Sequence, residues 1–175
     1  MKTIAFTSTR KGVGKSTIAM NLSFALKALG KNPLLVDCDL SILKSKYAVT
    51  ALYKPFTLED FFYRRMEMEE IINSFEGLNY VLCCNKIENL IHCNPSRFEE
   101  AFEEFRINGF DVVIFDSVAG FDGYSENILQ VSKEFMFVTI PQKVTMDELM
   151  SFVETMRSLF EKKNGIVLNL SLIHI

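Results

Sequence analysis

The run Thr9-Arg10-Lys11-Gly12-Val13-Gly14-Lys15-Ser16-Thr17 sets cations, glycines and hydroxyls side by side near the start of the chain. It follows a short apolar stretch, Ile4-Ala5-Phe6, and leads into residues with helical spacing. A strand that breaks into small and basic residues before a helix turns several backbone N–H groups into one concavity, where the positive end of the helix dipole also acts. Anions bind in such a place, and the residue types narrow the choice to phosphates. Gly12 and Gly14 let the backbone approach with no Cβ in the way. Lys15 has the reach for the β- and γ-phosphates of a nucleoside triphosphate, and the Ser16 hydroxyl can ligate Mg2+. The run matches the second half of the phosphate-loop pattern G-x-x-x-x-G-K-[ST]; Thr9 stands where that pattern has its first glycine.

Acids occur where such a loop needs them. Leu34-Leu35-Val36 is a continuous apolar run of the kind buried on both faces of a parallel sheet, and it ends in Asp37-Cys38-Asp39. The carboxyl end of a strand is the edge at which open α/β sheets bind ligands, and carboxylates beside a triphosphate have a use with Mg2+ or a water to orient. Val112-Val113-Ile114-Phe115 likewise ends in Asp116, the Walker-B pattern, whose acid holds the Mg2+ hydration shell from the strand beside the phosphate-loop strand. Ser117-Val118-Ala119-Gly120 follows as a small-residue turn suited to move when a γ-phosphate leaves.

The elements that must position these groups alternate along the chain. Ile18, Leu22, Ala25, Leu26 and Leu29 predict a helix after the cradle, capped near Gly30. Residues 40–55 lack periodicity and read as a loop or irregular helix. Thr57-Leu58-Glu59-Asp60 predicts a helix start, Glu67 to Phe75 a second short helix, and Leu78 to Cys83 a strand. Pro95, Phe98, Ala101, Phe102 and Phe105 predict a helix stopped by Asn108-Gly109; the phenylalanines read as core. Phe135 to Ile140 predicts a buried strand. Thr145 and Glu148 predict a capping box for a long helix running through Phe160 to Asn164-Gly165, and Ile166 to Asn169 a last strand. Strands alternating with helices predict a doubly wound, mainly parallel α/β sheet with helices on both faces.

With 175 residues and 49% hydrophobic content, the chain is expected to form one domain spanning residues 1–175. A net charge of −3 does not advertise nucleic acid or an acidic membrane as partner. Lys44, Lys46, Arg64 and Arg65 can touch DNA phosphates, but a solvated face is the simpler reading. The apolar run at residues 1–6 is too short for a signal peptide and no stretch reaches membrane-span length, so the expected location is cytoplasmic. Cys38, Cys83, Cys84 and Cys93 form no C-x-x-C pair and read as reduced core thiols; a metal cluster of His92 with Cys93 is the lesser reading.

With the cradle, Asp37-Cys38-Asp39, Asp116-Ser117-Val118-Ala119-Gly120 and Asn169 in place, the chain resembles the MinD/ParA family of deviant-Walker P-loop ATPases over nearly its whole length. The D-S-V-A-G stretch is similar to the D-S-P-A-G of the cell-division and flagellar-placement branches, with Val118 in place of proline. The family's loop reads K-G-G-x-G-K-[ST], its first lysine reaching across a dimer to the partner's ATP. Arg10 stands in that lysine's place and Lys11 in that of the next glycine. The resemblance implies ATP and Mg2+ as cofactors, with Thr9 to Thr17 and Asn169 around the nucleotide and Asn169 on the adenine edge. It further implies Asp39 as the switch residue that positions water or the Mg2+ shell, with Asp37 as a helper, and Ser16, Asp39 and Asp116 around the metal. Catalytic roles then fall to Asp39 and to Arg10 or Lys11. Because guanidinium differs in shape from ammonium, the departures at Arg10 and Lys11 bear on hydrolysis and dimer activation more than on binding.

The implied activity is a slow ATPase that acts as an ATP-dependent homodimerisation switch, positioning or partitioning a cellular structure with an unidentified protein partner. The same scaffold carries ATP-dependent carboxylate ligases of the dethiobiotin and cobyrinate type, and a binding-only pseudo-ATPase is the other alternative. An iron–sulfur carrier lacks suitably placed cysteines. The family continues beyond its adenine-binding asparagine with another strand and helix. Its membrane-binding members use a basic amphipathic C-terminal helix, which Ser171-Leu172-Ile173-His174-Ile175 does not resemble.

Overall fold

The computed structural model describes residues 1–39, 56–84, 95–120 and 123–170. Seven strands form one sheet in the order β3-β4-β2-β5-β1-β6-β7. They are β1 (Lys2–Thr7), β2 (Pro33–Asp37), β3 (Asn73–Phe75), β4 (Leu78–Leu82), β5 (Val112–Asp116), β6 (Glu134–Thr139) and β7 (Lys163–Leu168). All neighbours pair in parallel except β3 with β4. The helices are α1 (Lys15–Ala28), α2 (Leu58–Phe62), α3 (Met68–Ile71), α4 (Pro95–Ile107), α5 (Gly123–Val131) and α6 (Lys143–Leu159).

The alternation of side chains along each strand divides the apolar residues between two cores. Ala5, Val36, Val113, Phe115 and Phe137 face α2, α4, α5 and α6, through Phe62, Phe98, Leu129 and Phe152. Ile4, Phe6, Leu35, Ile114 and Val138 face α1. Helices thus lie on both faces, and every residue of β2 and β5 is buried, as continuous apolar strands require. The phenylalanine stripe of α4 is core: Phe98 meets Phe115 edge-on with centroids 5.9 Å apart. Cys38, Cys83 and Cys84 are buried in the same core.

Several expectations need correction. The segment expected to be helical from Glu67 to Phe75 holds only the one-turn α3, and Asn73–Phe75 is an edge strand antiparallel to β4. Phe75 pairs with Leu78, so Glu76 and Gly77 make a two-residue turn, both at positive φ (47° and 75°). That is the backbone which matches the twist of a tight hairpin. In α1 the expected residues Ile18, Leu22 and Leu26 pack half-buried against the core, whereas Ala25 and Leu29 are exposed and the fully buried positions are Lys15, Ala19 and Ser23; the small Ala19 and Ser23 let the helix axis approach the sheet. Gly30, at φ 78°, closes α1 with Gly30 N–H to Lys27 O and Lys31 N–H to Leu26 O, a Schellman ending.

The last helix starts at Lys143 and ends at Leu159, so Thr145 lies within its first turn and is not its cap. Asn164-Gly165 sits inside β7 and is not a helix stop. Gly165 pairs with Met136, and a Cβ there would come within 2.8 Å of the Met136 Sδ. The capping box at Thr57 is present, with Thr57 N–H donating to Asp60 Oδ2 at 3.0 Å. Residues 40–55, His92, Cys93 and 171–175 lie outside the described residues, and with them the readings made there. Arg64 and Arg65 pair with Glu100 (2.8 Å) and Asp60 (3.4 Å), which favours the solvated-face reading over DNA contact. Among the described residues no helix is long and apolar enough to cross a membrane.

Candidate phosphate and metal site

β1 lies between β5 and β6 at the centre of the sheet, and the chain leaves its carboxyl end to form the cradle. Ser8 is fully buried, and its hydroxyl donates to Arg10 O at 2.9 Å, folding the loop back on itself. Gly12 (φ 79°) and Gly14 (φ 90°) take left-handed conformations that a side chain resists, so the turn into α1 depends on both. Gly14 is the N-cap of α1, and its carbonyl accepts from Ile18 N–H at 3.0 Å. A cleft of about 350 Å3 opens here, lined by Arg10, Lys11, Gly12 and Gly14 through Thr17, together with Ser8, Asp39 and Ala119.

The charges meet at the floor. In register, Asp116 of β5 pairs with Phe6 of β1 and with Asp37 of β2, which puts the acids at the carboxyl ends of adjacent strands. Lys15 enters from the first turn of α1 and is 5% exposed. Its Nζ donates to Asp116 Oδ1 at 2.5 Å and to Asp39 Oδ2 at 3.5 Å. Asp37 is buried, and its Oδ1 accepts the Asp39 backbone N–H at 3.2 Å, holding the turn that presents Asp39. Asp37 also acts on Tyr80: burial first, then this neighbouring carboxylate, push the phenol above its ordinary value. The turn after β5 is tied to the cradle, with Gly120 N–H donating to Ser8 O at 2.7 Å and Ser117 Oγ to Phe6 O at 2.9 Å.

Four of the residues expected around the nucleotide, Arg10, Thr9, Val13 and Asn169, have partners outside the cleft as well. Arg10 makes a bidentate pair with Glu148 of α6, Nε to Oε2 at 2.7 Å and Nη2 to Oε1 at 2.6 Å. Hydrogen bonding to Glu148 raises the guanidinium's pKa further, and the same hydrogen bond holds the Glu148 carboxyl below its ordinary range. Thr9 lines a neighbouring groove with Arg10, Glu148 and Phe152. Val13 is 3% exposed and its side chain belongs to the core, leaving only its backbone to the cradle. Asn169 follows β7 and donates its Nδ2 to Val13 O at 2.8 Å. Lys11, Ser16 and Thr17 line the cleft. Sequence reasoning missed Glu148, which it assigned to a helix cap; its partner is 138 positions away.

The donor set fits a divalent cation bound with phosphates. Asp116 and Asp39 already hold a cation, the Lys15 ammonium, and Ser16 stands one residue further on the same helix turn. Among the described residues no group of three or more His, Cys, Asp or Glu side chains forms a metal cage. Mg2+ needs none when a hydroxyl, one or two carboxylates, substrate phosphates and waters complete its octahedron.

The family model of an AAA domain matches residues 1–168. The chain is 29% identical over 171 residues to the septum site-determining protein MinD of Thermotoga maritima, covering 94% of this chain and 62% of that protein. It is 24% identical over 158 residues to the antiactivator FleN of Pseudomonas aeruginosa, covering 88% of this chain and 56% of that protein. It therefore spans about three fifths of the length of these relatives. The structure superposes on the septum site-determining protein MinD of Pyrococcus horikoshii, solved with Mg-ADP, with a TM-score of 0.75 at 23% identity. That match covers 95% of this chain and 69% of the other and shows a shared fold.

Proposed function

Because this chain belongs to the MinD/ParA family of deviant-Walker P-loop ATPases, we propose that residues 1–175 act as one nucleotide-binding domain that binds MgATP and hydrolyses it slowly. ATP binding closes two copies face to face, and hydrolysis releases them, so that the protein switches its contacts while positioning or partitioning a cellular structure with a further protein. The observation that carries this reading is the burial of Lys15 between Asp116 and Asp39 at the floor of a left-handed glycine cradle. The names of the relatives, a septum site-determining protein and an antiactivator, support a positioning or regulatory output.

In this reading Lys15 leaves its carboxylate partners for the β- and γ-phosphates, and the cradle N–H groups and the α1 dipole stabilise their charge. Ser16, Asp116 and Asp39 are the residues that would hold Mg2+, which would supply further neutralisation of the phosphates. Asp39 orients a water whose oxygen bonds to the γ-phosphorus as the bond from that phosphorus to the bridging oxygen breaks, giving ADP and phosphate, with the water's proton passing to the phosphate product and on to solvent. Arg10, released from Glu148, supplies the contact across the dimer. The test is calorimetric titration of MgATP into wild type and Lys15→Ala, with phosphate release followed over a range of protein concentrations. Binding by the wild type, its loss in the variant, and a hydrolysis rate per chain that rises with concentration are expected. Equal affinity in the two proteins refutes the site.

A further inference from the structure

The geometry points to Asn169 as a positioning residue of the phosphate cradle, whose amide sets the cradle's backbone whatever base the nucleotide carries. Three observations converge on it. The Asn169 Nδ2 donates to Val13 O at 2.8 Å, the carbonyl just before the left-handed Gly14. A Cβ added at Gly14 would collide with that same Nδ2, so the side chain is packed on the turn itself. The Asn169 backbone N–H donates to Thr139 O at 2.8 Å, which anchors the residue to the end of β6, a direct neighbour of β1.

The amide is thus clamped between the sheet and the Val13–Gly14 peptide, the one that aims the Gly14 N–H into the turn before α1. The Val13 side chain is held in the core, so the hydrogen bond to Val13 O acts on a residue already anchored at one end. Losing the Asn169 hydrogen bond frees the Val13–Gly14 peptide to rotate, so the Gly14 N–H loses its fixed direction beside the N–H groups that α1 holds. This inference rests on the proposal that the cradle binds triphosphates, and it assigns to Asn169 a part in phosphate affinity that base reading alone does not contain.

The experiment uses wild type, Asn169→Ala and Asn169→Asp, with MgATP and magnesium tripolyphosphate as probes in calorimetry. It also follows hydrogen exchange at the amides of residues 12–15 in the ligand-free proteins, below their melting temperatures. One neutral side-chain hydrogen bond corresponds to a loss of about fivefold in affinity. Asn169→Ala is expected to lose about that factor for both probes alike, and Asn169→Asp more, because its carboxylate presents only acceptors to Val13 O. Faster exchange at the cradle amides of both variants is expected without ligand, a readout that base recognition would not move. A loss confined to ATP, unchanged amide exchange, or a wild type that binds ATP but not tripolyphosphate overturns the inference. A wild type that binds neither probe refutes instead the proposed function.

Discussion

Replacing Lys15 by alanine removes the cation from between two carboxylates before any nucleotide arrives. Lys15 and Asp116 have side chains 5% and 3% exposed, and their ion pair is 2.5 Å long, while Asp39 is 20% exposed at 3.5 Å. Breaking a buried pair by deleting one partner leaves an uncompensated charge and costs about 3–5 kcal/mol. The cleft admits solvent and Asp39 is partly wet, so the lower end, about 3 kcal/mol, applies here. For a chain of this length that lowers the melting temperature of the ligand-free protein by about 6–12 °C. Adding Asp116→Asn to the variant removes the stranded charge and is expected to restore most of the loss, a non-additivity characteristic of groups in direct contact. In the proposed site Lys15→Ala also removes a charged donor to the phosphates, about 2.8 kcal/mol or a hundredfold in MgATP affinity. Melting followed by circular dichroism for the two single variants and the double variant measures the first part. A Lys15→Ala protein that melts within 2 °C of wild type, or a double variant less stable than both singles, refutes the burial argument.

Asp39→Ala is expected to keep nucleotide affinity within a few fold, since Asp116 and Ser16 remain, and to stop phosphate release; turnover at the wild-type rate would remove Asp39 from the water-positioning role. Glu148→Gln cannot match the guanidinium with a full bidentate charge pair, so Arg10 is freed, and hydrolysis should reach its concentration-dependent phase at lower protein concentration. The Glu148 carboxyl is depressed below its ordinary 4.5, so the Arg10 pair is fully formed above that value and is lost as pH falls through the lower folded value. Carboxylate titration by NMR checks this, and a Glu148 value at or above 4.5 contradicts it. Tyr80 is raised above 10.0, so its share of stability is complete below that value and is lost as pH climbs through the higher folded one. An ultraviolet phenolate titration should show a late step, and Tyr80→Phe should remove it.

The phosphate cradle was legible because its demands are local. Gly12, Gly14, Lys15 and Ser16 are adjacent in sequence, and the strand before and the helix after them carry their own apolar patterns. Asp116 was legible because a strand buried on both faces shows as an unbroken apolar run. The hairpin at Glu76-Gly77 was missed because its strand is three residues long and glutamate is an uncommon residue at positive φ. Helix α5 has no counterpart in the sequence reading although Tyr124, Ile128 and Val131 stand at i, i+4 and i+7, because the element is only nine residues long and begins at a glycine. Asn164-Gly165 carries a helix-ending signature, but its tertiary partner Met136 places it in a strand. The pairing of Arg10 with Glu148 and that of Asn169 with Val13 depend on how α6 and β7 pack against the cradle. No spacing within either segment encodes these pairings.

The central claim is that nucleotide state controls association. Light scattering over a range of protein concentrations, without nucleotide, with MgADP and with a non-hydrolysable MgATP analogue, tests it most directly. The account predicts the mass of one chain in the first two conditions and of two chains only with the analogue. A mass indifferent to nucleotide, in a protein shown by calorimetry to bind it, contradicts the switch.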